Sequence, residues 1–393
     1  MQLISHALQG YAWGSTDDIP SLLGVDAEGP VAEAWFGAHP AAPSRTTDGQ
    51  RLDALLATDP DALLGQDVVA RFGATLPYLL KLIAAERPLS LQVHPHLQGA
   101  REGFDREEAA GIPRDSPIRS YRDRNHKPEL VYALTTFEAM CGFRAPRRAA
   151  ELFATLEAPL AKELYELLRA EPSASGIRHV FTRLLAPATR PSVERVGEVV
   201  DASRHRLAVG SPSPRADRTV VQLQEAYPGD PGVVVSLLLN PVTLQPGDAM
   251  FIPAGGVHAY LHGFGVEIMA SSDNVLRAGL TPKHVDVPEL LENVDYVAAP
   301  PIRIAPEVFH GATKVFYAPV DDFELSVTTV GAGVHPLPGR GPRILLCLDG
   351  VVELASAIGA RLLLQGGQAA FVPARDGALG VTGTGTLVQA DVP

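Results

Sequence analysis

Cysteine is scarce in this sequence, with only Cys141 and Cys347 among 393 residues. Two thiols so far apart cannot build the disulfide framework of a small secreted domain. They also lack the close spacing of a zinc knuckle. We therefore expect both cysteines to be reduced and structural.

Basic residues are too few to balance the acidic ones. The chain has 33 Lys and Arg against 45 Asp and Glu, which gives a formal net charge of −12. This excess of negative charge argues against general binding to nucleic acid or to an anionic membrane. A negatively charged substrate would need a local cluster of Lys and Arg.

Long apolar segments are missing as well. The longest apolar run, VVVSLLLN, is far too short to span a bilayer. The opening segment, MQLISHALQGYAWGS, lacks the basic start and apolar core of a signal peptide. We therefore expect a cytoplasmic protein with a small-molecule substrate, which binds neither nucleic acid nor membrane and is a monomer.

The composition is otherwise that of a globular protein, with 46% apolar and 20% charged residues. Residues 1–145 alternate short apolar runs with turn signals, which predicts strands such as LPYLLKLIA, LSLQVHP and FEAMCGF. One helical candidate lies at RLDALLATDPDALL. Apolar residues at helical spacing predict a helical insertion over 146–210, and the strand pattern returns at GVVVSLLL. We expect a mainly β chain with a helical insertion.

A weak internal repeat joins two distant segments. Gly247-Asp-Ala-Met-Phe-Ile-Pro253 is similar to Gly367-Gln-Ala-Ala-Phe-Val-Pro373. The first copy continues to His258 in the pattern G-x5-P-x-G-x2-H, which resembles the second signature of the cupin superfamily, whereas the second copy has Ala378. We expect a duplicated cupin architecture, meaning two jelly-roll β-barrels. Residues 1–145 with 211–304 would form the metal-binding barrel, and 305–393 would form a barrel without metal.

Several ionisable residues are candidates for a metal site in the first barrel. His258 would project from the strand after the hairpin, together with Tyr260 and His262, although His262 receives little weight. Gln92 and His94, in LSLQVHPH, are two apart and would point the same way on a strand.

The carboxylate ligand could come from either of two places. We expect Glu102 to lie in a polar loop, GAREGFDREEAAG, whereas Glu129 lies on the better strand candidate KPELVYAL, where Lys127 shares its face. We favour Glu129. Two imidazoles with two oxygen ligands suit one Zn²⁺, with Mn²⁺ or Fe²⁺ as alternatives on ligand type alone. His126 should face away if this strand is regular.

Together these segments resemble the type I mannose-6-phosphate isomerases, also called phosphomannose isomerases. The resemblance is carried by YAWGS at 11–15, EAWFGAHPAAPS at 33–44, PLSLQVHP at 88–95, YRDRNHKPEL at 121–130 and GVHAYLHGFGVEIMASSDNVLRAGLTPKHVD at 256–286. It implies zinc ligands at Gln92, His94, Glu129 and His258. It also implies an active-site arginine at Arg277.

The implied reaction interconverts mannose 6-phosphate and fructose 6-phosphate through a cis-enediolate, whose negative oxygen a metal and a guanidinium would stabilise. We expect the catalytic residues to be Arg277, Lys127 and Glu267, with Glu267 as the favoured base and a metal-bound water as the alternative. Candidates for holding the substrate are Lys283, Lys81, Ser90, Tyr260, Asp273 and Trp13. Two other interpretations stay open, an Fe²⁺-dependent oxygenase and a non-catalytic sugar-binding cupin.

Overall fold

Short apolar runs, punctuated by glycine and proline, form two large antiparallel sheets. The computed structural model describes residues 1–393, and helix and strand each take 30% of them. The expectation of a mainly β chain is therefore right about the sheets and wrong about the amount of helix. The strands are β1 (Gln2–Ile4), β2 (Ala7–Gln9), β3 (Glu33–Phe36), β4 (Tyr78–Ala85), β5 (Gln92–Val93), β6 (Glu129–Ala133), β7 (Phe137–Phe143), β8 (Leu239–Leu244), β9 (Ala249–Ile252), β10 (His258–Ala270), β11 (Leu276–Arg277), β12 (Ile302–Ile304), β13 (Glu307–Phe309), β14 (Thr313–Phe316), β15 (Glu324–Val330), β16 (His335–Leu337), β17 (Arg343–Ser356), β18 (Arg361–Gln365), β19 (Ala369–Val372) and β20 (Leu379–Asp391).

The two sheets divide the chain near residue 305. Strands β2 to β12 form the 11-stranded first sheet, and β13 to β20 form the nine-stranded C-terminal sheet together with β1. The last strand of the first sheet, β12, ends at Ile304, and β13 begins at Glu307. The first residues do not fit the expected division, because β1 pairs with β19 in the C-terminal sheet.

Twelve helices accompany the sheets, and half of them follow β7 in one block. They are α1 (Asp18–Leu23), α2 (Leu52–Leu56), α3 (Pro60–Leu64), α4 (Gln66–Phe72), α5 (Leu97–Ala109), α6 (Pro146–Ala154), α7 (Pro159–Ala170), α8 (Ala174–Leu185), α9 (Val193–Val209), α10 (Pro214–Ala226), α11 (Gly232–Val235) and α12 (Val287–Asn293). The predicted helices near 52–64 and from Pro146 are confirmed. A buried apolar face on α6 to α10 packs into a core of 40 buried residues, which also contains residues of the first sheet.

Two predictions about helices were wrong. The helical block does not end at 210, since GVVVSLLL forms α11 and a short 3₁₀ helix over Ser236–Leu238 instead of a strand. Every residue of that run is buried, and a short run that is apolar on all sides has no period to separate helix from strand. The polar segment around Glu102 is α5, whose Ala100, Phe104 and Glu107 make one buried face.

The internal repeat has matching local structure in both sheets. Gly247 and Gly367 each precede a four-residue strand, β9 or β19, and adopt positive φ of 94° and 84° that favours glycine. Each turn is closed in the same way, by Gln245 N–H donating to the Asp248 carboxylate and by Gln365 N–H donating to the Gln368 amide, both at 2.9 Å. The strands that follow, β10 and β20, are both 13 residues long.

The two sheets share a hydrophobic core and a few polar contacts. A cluster of 31 buried residues draws on both sheets, from Leu80 and Val266 of the first to Leu325 and Ala390 of the C-terminal one. At its edge the buried Tyr78 hydroxyl donates to the carbonyl oxygens of Pro342 and Ala390, at 2.9 and 3.0 Å. None of the helices has both the length and the apolar character that a membrane-crossing segment needs.

Candidate active site

The long strand β10 organises the site by pairing with four other strands. His258 at its start pairs with Gln92, and eleven residues later Met269 pairs with Glu129. Eleven residues of straight strand would span roughly 36 Å, yet the side chains of His258 and Glu129 meet. The strand therefore curves, with Gly263 near its middle at φ 128°, where a Cβ would approach the backbone of Phe137 to 2.7 Å.

His94, Glu129 and His258 converge in the interior of the first sheet. Nε2 of His94 lies 3.2 Å from Oε1 of Glu129, and Nε2 of His258 lies 3.3 Å from Oε2. Their ligand atoms all lie within 4.8 Å of one another, and all three residues are buried. Gln92 is directly beside them, since β5 places it between His258 on β10 and Arg277 on β11. The sequence therefore identified the residues that the fold brings together here.

Backbone carbonyl groups set the tautomer of both histidines. Nδ1 of His94 lies 2.7 Å from the carbonyl oxygen of Asn274, and Nδ1 of His258 lies 3.0 Å from that of Gly256. A carbonyl oxygen can only accept, so Nδ1 carries the proton in each ring and Nε2 presents a lone pair. The Nε2 of His94 is buried and has no hydrogen-bond partner. This lone pair and the one on His258 both face the Glu129 carboxylate, which is the donor set that a divalent metal ion requires.

The ionisation states also favour a metal. Burial lowers the pKa of His94 to about 4, which keeps the imidazole neutral as a metal ligand must be. Burial alone would raise the pKa of Glu129, but the Lys127 ammonium, 3.0 Å from Oε1, outweighs it and holds that pKa well below the usual range. A neutral imidazole beside a fixed carboxylate suits Zn²⁺.

A second buried cluster lies behind the metal ligands. Glu267, on β10 and 2% exposed, accepts hydrogen bonds from Lys81 Nζ at 3.1 Å and from the Tyr260 hydroxyl at 2.8 Å. Burial raises the pKa of Glu267. Lys81 also lies 3.8 Å from Glu33 and over the ring of Trp35, 5.3 Å from its centroid. Burial alone would lower the pKa of Lys81, but the negative charges of Glu33 and Glu267 have the larger combined effect and raise it.

This geometry argues against three of the expected roles. Lys81 is buried and already neutralised by two carboxylates, so it does not fit a phosphate-binding group. Tyr260 is 3% exposed and its hydroxyl is committed to Glu267, so it does not fit direct contact with substrate. Glu267 is 2% exposed and each of its oxygens already accepts a hydrogen bond within the protein, which disfavours it as the base.

Cationic and aromatic side chains line the open side of the site. Burial lowers the pKa of Arg277 and of Lys283. The positive charge of the nearby Arg122 lowers both pKa values further. The Lys283 ammonium lies 5.8 Å from the ring centroid of Tyr11, which stacks on Trp13 at 5.7 Å. This cluster supplies the local positive charge that a phosphorylated substrate needs in a chain of net charge −12. The sequence predicted Arg277, Lys283 and Trp13 but missed Arg122.

The remaining predicted residues lie around this opening or away from it. Asp273 is partly exposed, with Oδ1 3.6 Å from Nε2 of the buried His39. Ser90 is partly buried just before β5, and its hydroxyl makes no hydrogen bond within the protein. Glu102 lies on an exposed face of α5, and His262 is exposed beyond an irregularity in β10. Neither of these two joins the site.

Asn274 is a second residue that sequence reasoning missed. Its carbonyl oxygen accepts from Nδ1 of His94 and so orients that ring. Its side-chain amide binds the backbone of the loop that leads to Lys127, on both sides of Asp123. The amide oxygen accepts from the Arg122 backbone at 2.7 Å, and Nδ2 donates to the carbonyl oxygens of Asp123 and Asn125, both at 2.8 Å. Its place in SDNVLR, three residues before Arg277, was the only available signal.

The comparisons with known proteins agree with this geometry. The family model "Phosphomannose isomerase type I, catalytic domain" matches residues 1–146. The mannose-6-phosphate isomerase of Escherichia coli strain K12 is 38% identical, with 99% of each chain covered. That of Bos taurus is 32% identical, with 95% of this chain and 93% of the relative covered.

Solved structures are similar over nearly the whole length. A crystal structure of mannose 6-phosphate isomerase bound with zinc and yttrium has a TM-score of 0.89 and 38% sequence identity, covering 99% of this chain and 98% of that one. The apo form of the enzyme from Salmonella typhimurium gives the same TM-score, identity and coverage. At this identity and coverage the likeness extends to the relative arrangement of both sheets and the helical block.

Proposed function

The chain belongs to the type I phosphomannose isomerase family, and we propose that its site interconverts mannose 6-phosphate and fructose 6-phosphate with one bound Zn²⁺. One observation carries the proposal. Two imidazole Nε2 atoms and a carboxylate converge in a buried site, beside a glutamine and next to an uncompensated cluster of Arg and Lys. A metal alone would fit many cupin reactions, whereas the adjacent positive cluster selects a phosphorylated substrate.

We propose Gln92, His94, Glu129 and His258 as the zinc ligands. The fit is supported by the Nδ1–H donors fixed on backbone carbonyls and by the unpartnered Nε2 of His94. When bound, Zn²⁺ would stabilise negative charge on a substrate oxygen as a Lewis acid. One of the similar solved structures is bound with zinc, which supports zinc over manganese or iron as the metal.

The chain's own cations would bind and orient the sugar phosphate. Isomerisation moves a proton between C1 and C2 through a cis-enediolate, so negative charge develops on the sugar oxygens. Arg277, which pairs through its backbone with Gln92, is placed next to the metal ligands and would stabilise that charge. Arg122 and Lys283 would hold the phosphate, whose remote binding energy positions the reacting carbons. Lys127 is fixed 3.0 Å from Glu129 and faces the same space.

Glu267 would act through Lys81 instead of on the substrate. The buried cluster of Glu267, Lys81 and Tyr260 lies on β4 and β10, where Lys81 and Glu267 are cross-strand partners. These two strands are paired within the first sheet, which also positions the proposed zinc ligands. A charged cluster with satisfied hydrogen bonds there would hold the floor of the site in one arrangement.

The parallel between the two sheets supports a duplicated cupin chain. The division that fits the elements is a metal-binding unit of about 5–145 and 239–304, a helical insertion of 146–238, and a C-terminal unit of 305–393 that also takes up β1. Ala378 stands where the repeat would place the histidine ligand. We expect the C-terminal unit to bind no metal.

The test is a coupled isomerase assay on mannose 6-phosphate, before and after chelation, with metal content measured on the same samples. Chelation and His258→Ala should each remove both metal and turnover. His262→Ala is the matched control, because it removes an exposed histidine from the same strand. A His258→Ala variant with full metal and full turnover would refute the ligand set, and a zinc-loaded wild type that binds the sugar without turnover would refute the isomerase. A second metal ion per chain in the wild type would contradict a C-terminal unit without metal.

A further inference from the structure

One side chain of the C-terminal sheet reaches the loop beside the metal ligands. Nε2 of His126 lies 3.0 Å from Oδ2 of Asp322, in the segment between β14 and β15. No other side-chain hydrogen bond joins residues 305–393 to residues 125–128, the segment that carries Lys127 and precedes Glu129. Since the two residues lie 196 positions apart, the contact is a property of how the sheets pack.

The chemistry of this contact fixes the state of the imidazole. An ionised carboxylate only accepts hydrogen bonds, so Nε2 of His126 carries the proton. Nδ1 makes no hydrogen bond within the protein, and in the neutral ring it carries a free lone pair. Asp322 is 5% exposed and has no other hydrogen-bond partner. A buried carboxylate with one donor is costly to leave unpaired, so the contact should persist.

The other side of the loop is held by the first sheet. Asn125 donates to the carbonyl oxygen of Ser271 at 3.3 Å, and the carbonyl oxygen of Pro128 accepts from Ala270 N–H at 3.1 Å. His126 lies between these anchors, where the side chain of Asp322 supplies the only hydrogen bond to its ring. Removing that carboxylate would free the imidazole while leaving the anchors of the flanking residues in place.

We propose that Asp322 is a positioning residue of the isomerase site, which orients His126 and steadies the loop that carries Lys127. The inference rests on the proposed function. It gives the C-terminal unit a part in the reaction, because a carboxylate of that unit holds the residue next to Lys127, whose ammonium contacts Glu129. Asp322 acts through His126 and does not itself touch the substrate.

The first test compares variants of the full-length, zinc-loaded protein. Asp322→Ala should lower kcat about 10-fold to 100-fold, the range for losing a residue that orients a site group, with zinc content unchanged. Asp322→Asn, which keeps a hydrogen-bond acceptor, should fall between Asp322→Ala and wild type. Asp321→Ala is the matched control and should behave as wild type, because Asp321 is 88% exposed and its carboxylate lies 3.8 Å from Arg71.

A double-mutant cycle separates positioning from a purely structural role. If Asp322 acts through His126, then Asp322→Ala combined with His126→Gln should be no slower than His126→Gln alone. Additive losses would overturn the proposal. So would a wild-type kcat in Asp322→Ala accompanied by lower thermal stability, since that would make the contact only a clamp between the sheets.

Nitrogen-15 NMR of labelled histidine provides a readout that does not depend on activity. The His126 ring, assigned by its loss in His126→Gln, should be the Nε2–H tautomer in wild type and a mixture in Asp322→Ala. If wild type shows no isomerase activity, the proposed function fails, and the tautomer result still decides whether Asp322 orients His126. An unchanged tautomer in both Asp322 variants would refute the positioning role.

Discussion

Replacing Glu267 by glutamine tests whether this residue anchors Lys81 or removes the substrate proton. The side chain keeps its shape and can still accept from the Tyr260 hydroxyl, but its negative charge is lost. Lys81 Nζ, now 3.1 Å from Glu267 and 3.8 Å from Glu33, would keep only the more distant carboxylate. Breaking a buried ion pair typically costs about 3–5 kcal/mol. Because Glu33 remains, we expect a loss of about 2–3 kcal/mol in the free energy of unfolding.

The effect on turnover should be smaller than a lost base would cause. A general base contributes about 100-fold to 10,000-fold to the rate. If Glu267 only supports the floor of the site, kcat should fall less than about tenfold. Urea unfolding and the coupled isomerase assay would measure both quantities on the same preparation. Glu102→Gln, an exposed glutamate on α5, is the control for the loss of one carboxylate and should change neither.

A second variant sharpens the test. In the double variant of Lys81→Met and Glu267→Gln both charges are gone, so no buried ammonium is left with a weakened partner. The two changes should therefore be less than additive in stability, by about 0.5–3 kcal/mol. Wild-type stability in Glu267→Gln together with a kcat at least 100-fold lower would refute the anchoring role and restore Glu267 as the base.

Three further predictions concern the cationic cluster and the C-terminal sheet. Arg277→Ala should lower kcat about 100-fold to 1000-fold, roughly 3–4 kcal/mol, at unchanged zinc content. Arg277→Lys should restore only part of the rate. A raised KM with intact kcat would instead place Arg277 on the phosphate. Arg122→Ala should mainly raise KM, since its charge would act on the remote phosphate, and a loss confined to kcat would contradict this. Burial raises the pKa of Asp391 to about 7, so its contribution to stability is present below the unfolded value of about 4 and is lost as the pH rises through 7. Asp391→Asn should therefore flatten the fall in unfolding free energy between pH 5 and pH 8, by about 2–3 kcal/mol, and an unchanged slope in urea unfolding would refute the shift.

The convergence of the candidate metal ligands could be predicted because the signals are local. The hairpin from Gly247 to His258 and the strand that begins at Glu129 are short segments, in which side-chain direction follows from strand geometry. The same holds for β4 and β7 and for the helices from Pro146 onward, where the apolar period is clear. The distances between the candidate metal ligands could not be predicted from these local signals and are known only from the fold.

The errors have a common physical origin. The spacing of residue types along a short segment does not show whether a side chain is buried or which distant residue it contacts. Lys81 was a plausible phosphate ligand until its pairing with Glu267, 186 residues away, was seen. For His126 the expected direction depended on a regular strand, but β6 begins only at Glu129, so strand alternation does not predict where this side chain points. Its partner Asp322 could not be inferred from any motif. The repeat, by contrast, gave a correct hint of matching hairpins, because it is encoded in adjacent residues.

The pairing of β1 with β19 has a consequence for how the protein is made. Gln2 and Phe371 are cross-strand neighbours, so β1 leaves the ribosome long before the strand with which it pairs. At roughly 5–20 residues per second, that wait is on the order of 20–70 s. During this time β1 has no sheet to join, and the C-terminal sheet, whose strands arrive last, lacks its outer strand until the ends of the chain meet. Folding of this half should therefore be completed after synthesis, and extensions fused before β1 would be expected to slow it.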